Sequence, residues 1–364
     1  MTARLRTYWR MLVAPIDGPL LLVTGSLLAL ATVAMASAAP ERMSAHLINL
    51  GAALVVMRVV AQVPPQRLMH IALPIYVFGV LLLVAVALAG DVSKGARRWL
   101  NLGFMRIQPS ELMKIAMPLM LAWYFQKREG LLVWRDWLVA TSILLVPVAL
   151  IARQPDLGTA VLVFAAGFFV IFFAGLSWKV ILGLIGVAVA AAPFAWNLLH
   201  DYQRQRILTL IDPEKDPLGK GFHIIQSMIA IGSGGVLGKG WGQGTQAQLE
   251  FIPERHTDFI FAVWSEEFGL IGNAVLLVLY ALLIGRGLQI ALQAPTLFAR
   301  LLAAAVTLIF FTYAFVNMGM VSGILPVVGV PLPFVSYGGT ALVTLCLGVG
   351  ILMSIHKNRM LVQK

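Results

Sequence analysis

The sequence is short of the residues on which water-soluble, disulfide-linked and metal-binding proteins depend. Only 12% of its 364 residues are charged, about half the share of an ordinary soluble domain. Its single cysteine, Cys346, lies inside an apolar run, so an intrachain disulfide and a thiolate metal site are both excluded. The chain has no H-x-x-x-H pair and no G-x-x-x-x-G-K-[ST] run, which removes a helix-borne zinc site and P-loop nucleotide hydrolysis. It shows no internal repeat, which argues against a transporter built from symmetric halves, and no low-complexity tract.

What is present is apolar. Hydrophobic residues make up 60% of the chain, and the mean hydropathy is +0.88. A protein folded in water keeps a polar skin. Here the apolar residues come in runs near the ~20 residues that a helix needs to cross a bilayer core. The expected fold is therefore an all-α polytopic membrane protein of about ten transmembrane helices. Spans are expected near 18–39, 45–62, 70–90, 110–126, 137–152, 157–175, 179–198, 259–285, 297–318 and 338–355. Arg4, Arg6 and Arg10, followed by an apolar run and Ala36-Ser37-Ala38, imitate a signal peptide, but the run is longer than a typical h-region and reads as an uncleaved first span. The chain reads as one domain over 1–364, with tails at 1–17 and 356–364 and a long loop, 199–258, between spans 7 and 8.

Charge gives the orientation. With the N-terminus inside, the inner loops and tails hold 14 of the 27 Lys and Arg but only Asp17, Glu129 and Asp136 of the 16 acids. The whole +11 then lies on the inner side, as the bias of short cytoplasmic loops requires. Both termini are expected in the cytoplasm. The basic residues are scattered between apolar runs, so the net charge is topological and gives no reason to expect nucleic acid as a partner.

Four features are costly enough to need a reason. The outer loop 199–258 is long for a connector. Its segment 223–231 is apolar enough to lie in the interface as a helix. Seven glycines between Gly232 and Gly244 permit tight turns, which suits either backbone amides gathered at an anion or a flexible connector. Asp258 stands at the start of span 8, beside His256: a general base, or, like Thr257, a helix N-cap. Glu111 and Lys114 share a helix face, and Glu266 and Glu267 lie ~12 Å deeper than Asp258 at 1.5 Å per residue. Such charges inside a bilayer imply a polar cavity or an internal ion-pair network. Finally, Arg97, Arg98 and Arg106, near Trp99 on the outer side, suit a lipid-linked phosphate or the anchoring of headgroups.

The runs GARRWLNLG, QPSELMK, RQPDLGTA, DPLGKGFHIIQSMIAIGSGGVLGKGWGQGTQ, FIPERHTDFIFAVWSEEFGLIG and PLPFVSYGGT, in this order and over most of the chain, resemble the SEDS family (shape, elongation, division and sporulation proteins). Arg255 and the short tails are similar to its elongation branch. The resemblance implies ten transmembrane helices and a peptidoglycan glycosyltransferase of the bacterial cytoplasmic membrane. Such an enzyme polymerises lipid II into glycan strands on the outer face during elongation and shape maintenance, and releases undecaprenyl pyrophosphate.

It also implies as partners lipid II and the nascent strand, a class B penicillin-binding protein, other cell-shape proteins and membrane lipids. The family's essential aspartate falls on Asp258, its arginine on Arg98, its Glu/Lys pair on Glu111 and Lys114, and its QPDLGT run on Gln154, Asp156 and Thr159. Arg97, Arg106, Lys220 and Lys239 are further candidates for the pyrophosphate, and His223, Gln226 and His256 are held as site-adjacent. Glu266 and Glu267 line the acceptor groove or brace the bundle. No metal-ligand cluster is encoded, and a divalent cation, Mg or Mn, enters only as an aid to the leaving group. A lipid II flippase and a non-catalytic scaffold of the elongation complex stand as rival readings.

Overall fold

In a computed structural model the chain is described over residues 17–93, 96–101, 106–130, 132–198, 201–215, 220–249, 251–252 and 254–362. In chain order the helices are α1 (Gly18–Ala38), α2 (Met43–Val60), α3 (Pro65–Ala89), α4 (Pro109–Lys127), α5 (Trp134–Arg153), α6 (Leu157–Phe173), α7 (Trp178–Leu198), α8 (Asp201–Ile211), α9 (Lys220–Ser233), α10 (Thr245–Gln248), α11 (Ile260–Leu292), α12 (Leu297–Val321) and α13 (Gly339–Val362). Each of the ten expected spans falls on one of α1–α7 and α11–α13. Seven of these stretches are long and apolar enough to cross a membrane, and α6 and α7 contain shorter apolar helices.

The remaining one, α4, carries Glu111 and Lys114 and is largely buried. It packs on α3, α5, α6, α12 and α13. A helix enclosed by protein need not present an apolar surface to lipid, which is why its composition is weaker. At the other extreme α7 is peripheral: Leu182, Val187 and Val189 are each about two-thirds exposed, as befits a lipid-facing wall.

Boundaries shifted where prolines or long helices set them. Pro65 occupies the first turn of α3 and starts it five residues before the expected edge. α11 runs seven residues past its expected end, to Leu292. Pro74, Pro118, Pro147 and Pro193 all lie inside helices, where neighbouring helices can meet the backbone groups they free.

Two parts of the loops are ordered. Asp91–Ser93 (β1), Ala96–Asn101 (β2) and Arg106–Ile107 (β3) form an antiparallel sheet in the order β1-β2-β3, where only a loop was expected. The stretch 223–231 does form a helix, slightly longer than expected, as α9, and it packs on α11.

The up-and-down order brings charged clusters to opposite ends of the bundle. At one end Asp17 caps α1 by accepting from the Leu20 amide at 2.8 Å and binds Arg286 of α11 through Nε at 3.2 Å. Burial alone would raise the Asp17 carboxyl, but hydrogen bonds from Arg286 and Leu20 hold it below its ordinary value. His356 of α13 stands 3.4 Å from the same carboxylate. The opposite end gathers β2, the starts of α4, α6 and α11, and the segment 322–338.

Candidate active site

Asp258 lies one residue before the α11 N-cap position. That position is held by Phe259, with no side-chain cap, and Thr257 instead donates to Glu254. The helix-cap reading of Thr257 and Asp258 is thus corrected. Asp258 faces a cavity of about 450 Å³ whose lining includes Arg42, Arg98, Trp99, Glu111, Lys114, Asp156, Thr159, His256 and Tyr337. Seven of the residues singled out from sequence, drawn from positions 98 to 258, therefore converge on one cavity.

Each wall has a local cause. Asp156 caps α6, accepting from the Thr159 amide at 3.2 Å. Its other oxygen accepts from Gln108 at 3.1 Å and stands 4.0 Å from Arg98 Nε. Arg98 also donates to the Pro155 carbonyl at 2.6 Å, tying β2 to the start of α6. On α4, Lys114 is 2% exposed and donates to Glu111 at 2.6 Å and to the Tyr313 hydroxyl. A buried ammonium is tolerable only when paired in this way.

The far wall was not foreseen. Asn317 of α12, fully buried, donates to the backbone carbonyls of Asp258 and Val330. Ser336 donates to the Thr257 carbonyl at 2.6 Å, and the Tyr337 amide to that of His256 at 2.8 Å. Arg42, in a short 3-10 turn between α1 and α2, stacks its guanidinium 5.7 Å above the Tyr337 ring. Burial pushes the His256 imidazole below its ordinary value and Arg42 pushes the same way, against Glu254 and Glu41. These residues are tens to hundreds of positions from Asp258. The PLPFVSYGGT run signals Ser336 and Tyr337, and nothing in the sequence signals Asn317 or Arg42.

Other candidates lie elsewhere. Gln154 is buried and donates to the Leu83 carbonyl, joining α5 to α3. His223 packs against Phe259 at 6.0 Å between ring centroids, and Gln226 follows one turn later on α9; neither is part of the cavity lining. The side chains of Arg97, Arg106 and Lys220 lie outside the described ones.

Lys239 is not at the cavity. It binds Glu266 at 2.7 Å. The same Glu266 oxygen accepts from Thr245 Oγ1 and the Gln246 amide, both at 3.1 Å, and Glu267 accepts from Ser37. Both glutamates are buried and do not line the cavity, so of their two readings the bracing one fits this geometry. They flank a break that the sequence did not announce. Gly269, at φ 61° and ψ −156°, interrupts α11. The freed Glu266 and Glu267 carbonyls accept from the Lys239 and Gly240 amides, each at 3.0 Å. Beyond the break, the Leu270 and Ile271 amides donate to the Gly235 and Val236 carbonyls. A Cβ on Gly238 would stand 2.1 Å from the Glu267 oxygen, so this pairing requires glycine.

Residues 7–361 match the model of the FtsW/RodA/SpoVE family, described as cell cycle protein. The peptidoglycan glycosyltransferase MrdB of Escherichia coli K12 is 51% identical over 367 residues, covering 99% of this chain and 98% of that protein. A chain of a peptidoglycan synthase complex, described for the structural coordination of polymerization and crosslinking, superposes with a TM-score of 0.83 at 36% identity, over 95% of this chain and 99% of that one. The crystal structure of the rod shape determining protein RodA of Thermus thermophilus gives 0.72 at 30% identity, over 95% and 98%.

Proposed function

The chain belongs to the FtsW/RodA/SpoVE family of cell cycle proteins, and from that premise we propose that this multi-pass membrane protein is a peptidoglycan glycosyltransferase that uses Asp258 as its general base. The substrate is lipid II. Its GlcNAc 4-hydroxyl loses a proton to the Asp258 carboxylate as the oxygen attacks the MurNAc anomeric carbon of the growing strand. The bond from that carbon to the diphosphate breaks with inversion, and undecaprenyl pyrophosphate leaves. A diphosphate departs without being protonated, so one carboxylate suffices where a glycosidase needs two.

The observation that carries this reading is the shared cavity. Asp258 faces it together with the cations Arg98, Lys114 and Arg42, and fixed cations at a departing diphosphate are what electrostatic catalysis requires. The charges of Arg98 and Lys114 are partly offset by Asp156 and Glu111, which lets them persist inside the bundle before substrate arrives. The described residues contain no cluster of three or more His, Cys, Asp or Glu side chains suited to a metal. A divalent cation such as Mg or Mn would be held through the substrate diphosphate.

The cavity end of the bundle is read as extracytoplasmic and the Asp17–Arg286 end, with both termini, as cytoplasmic. A class B penicillin-binding protein is the proposed crosslinking partner, as the resemblance to a polymerising and crosslinking complex supports, with other cell-shape proteins around it. The test is reconstitution of the protein and that partner with lipid II, comparing wild type with Asp258→Asn. Polymer should appear only with wild type. Full polymerisation by the variant would end the general-base role.

A further inference from the structure

The break at Gly269 divides α11 into a short outer half, Ile260–Phe268, and a long inner half. In a continuous helix each half would be held to the other by the i→i−4 ladder. Here four of the peptide groups around the break are paired with the glycine-rich strap 235–240 instead. The short half leads directly into Asp258, so its placement depends on the strap rather than on the rest of its own helix.

Besides these backbone bonds, an ion pair joins the strap to the short half. Lys239 reaches from an exposed loop, its side chain 29% exposed, to the carboxylate of Glu266, whose side chain is fully buried. The contacted oxygen also accepts from Thr245 and Gln246, so a single carboxylate gathers both ends of the glycine-rich segment onto the short half-helix. Asp258 stands two residues before the short half-helix, and Glu266 lies on it ~9 Å from its first residue at 1.5 Å per residue. A tilt at Glu266 therefore moves the Asp258 end. A general base misplaced by ~1 Å can cost ~100-fold in rate.

We propose that Lys239 and Glu266 are positioning residues for the transfer step: their ion pair locks the strap across the Gly269 break and so sets where Asp258 stands in its cavity. The proposal rests on Asp258 being the base. Neither residue lines the cavity, so the pair is expected to act on turnover and not on substrate affinity.

The experiment measures kcat, KM for lipid II and thermal unfolding for Lys239→Met, Glu266→Gln, the double variant and Lys239→Arg, with Asp258→Asn alongside. Lys239→Met should lower kcat at least tenfold with KM within twofold, and Lys239→Arg should recover most of it. Lys239→Met leaves a buried carboxylate without its cation, so it should also lose stability. The double variant removes both charges and should regain stability while remaining slow. Recovery of kcat together with stability in the double variant, or a wild-type kcat in Lys239→Met, would overturn the proposal. If Asp258→Asn polymerises normally, it is the base assignment that fails. If Asp258→Asn is inactive and Lys239→Met is normal, only the positioning role is lost.

Discussion

The side-chain amide of Asn317, buried in α12, donates to the backbone carbonyl of Asp258 at 2.8 Å and to that of Val330 at 2.7 Å. One amide thus clamps the segment carrying the proposed base to the loop that forms the opposite wall. Asn317→Ala would leave two carbonyls short of a donor, each worth roughly 1–3 kcal/mol if buried without a partner. The expected result is a fall in the unfolding temperature together with at least a tenfold loss of turnover per folded molecule. Unaltered turnover in the folded fraction would reduce Asn317 to a structural clamp.

That clamp also marks where the sequence stopped being legible. The apolar runs marked the helices that face lipid, because that exposure must be written into each helix separately, while α4, enclosed by protein, is marked more weakly. The residues of Asp258's own side of the cavity were readable because charges at that depth are too costly to be accidental. Asn317, Tyr337 and Arg42 were not, since a buried Asn or an interfacial Tyr has no periodicity and its partner lies far along the chain. Lys239 was a candidate for the pyrophosphate because it is one of the basic residues of the outer loop. Its actual partner, Glu266, is 27 residues on, and the break at Gly269 that brings them together leaves no trace in an otherwise regular apolar pattern. The sheet over 91–107 was missed because its strands are too short to show alternation.

Glu111 and Lys114 give the sharpest double-mutant test. The pair is 2.6 Å apart with Lys114 3% exposed in its side chain. Removing one partner of such a pair strands the other, at a cost of about 3–5 kcal/mol. Glu111→Gln and Lys114→Met should each be markedly less stable than wild type, and the double variant closer to wild type than either. Stability losses that simply add would show that the two charges do not depend on each other.

His256 makes a prediction about pH. Burial and Arg42 hold its imidazole below the ordinary value near 6.5, with Glu254 and Glu41 opposing and Arg255 adding to the downward push. The unfolded chain therefore takes up this proton first as pH falls. Stability from this group is complete above about pH 6.5 and is lost progressively as pH falls toward the depressed native value. His256→Gln should flatten the acid limb of unfolding temperature against pH. Arg42→Gln should shift the titration of the His256 ring upward when followed by NMR of labelled histidine. A titration that stays in place would mean that Arg42 does not act on that ring.

Gly329 sets a limit on the space around the proposed base. It sits at φ 74°, and a Cβ there would stand 3.4 Å from Asp258 Oδ2. Gly329→Ala imposes two separable effects. Left-handed backbone costs a non-glycine residue roughly 1–2 kcal/mol, which lowers stability and says nothing of catalysis. The methyl group also covers one side of the carboxylate oxygen that is to accept the sugar proton. Gly323 provides the control, because it has a similar φ of 72° but its Cβ would meet the Met228 sulfur. Both alanine variants should lose comparable stability, and only Gly329→Ala should lose polymerisation beyond what its folded fraction explains. Equal residual activity in the two would mean that this side of Asp258 is not used by the acceptor hydroxyl.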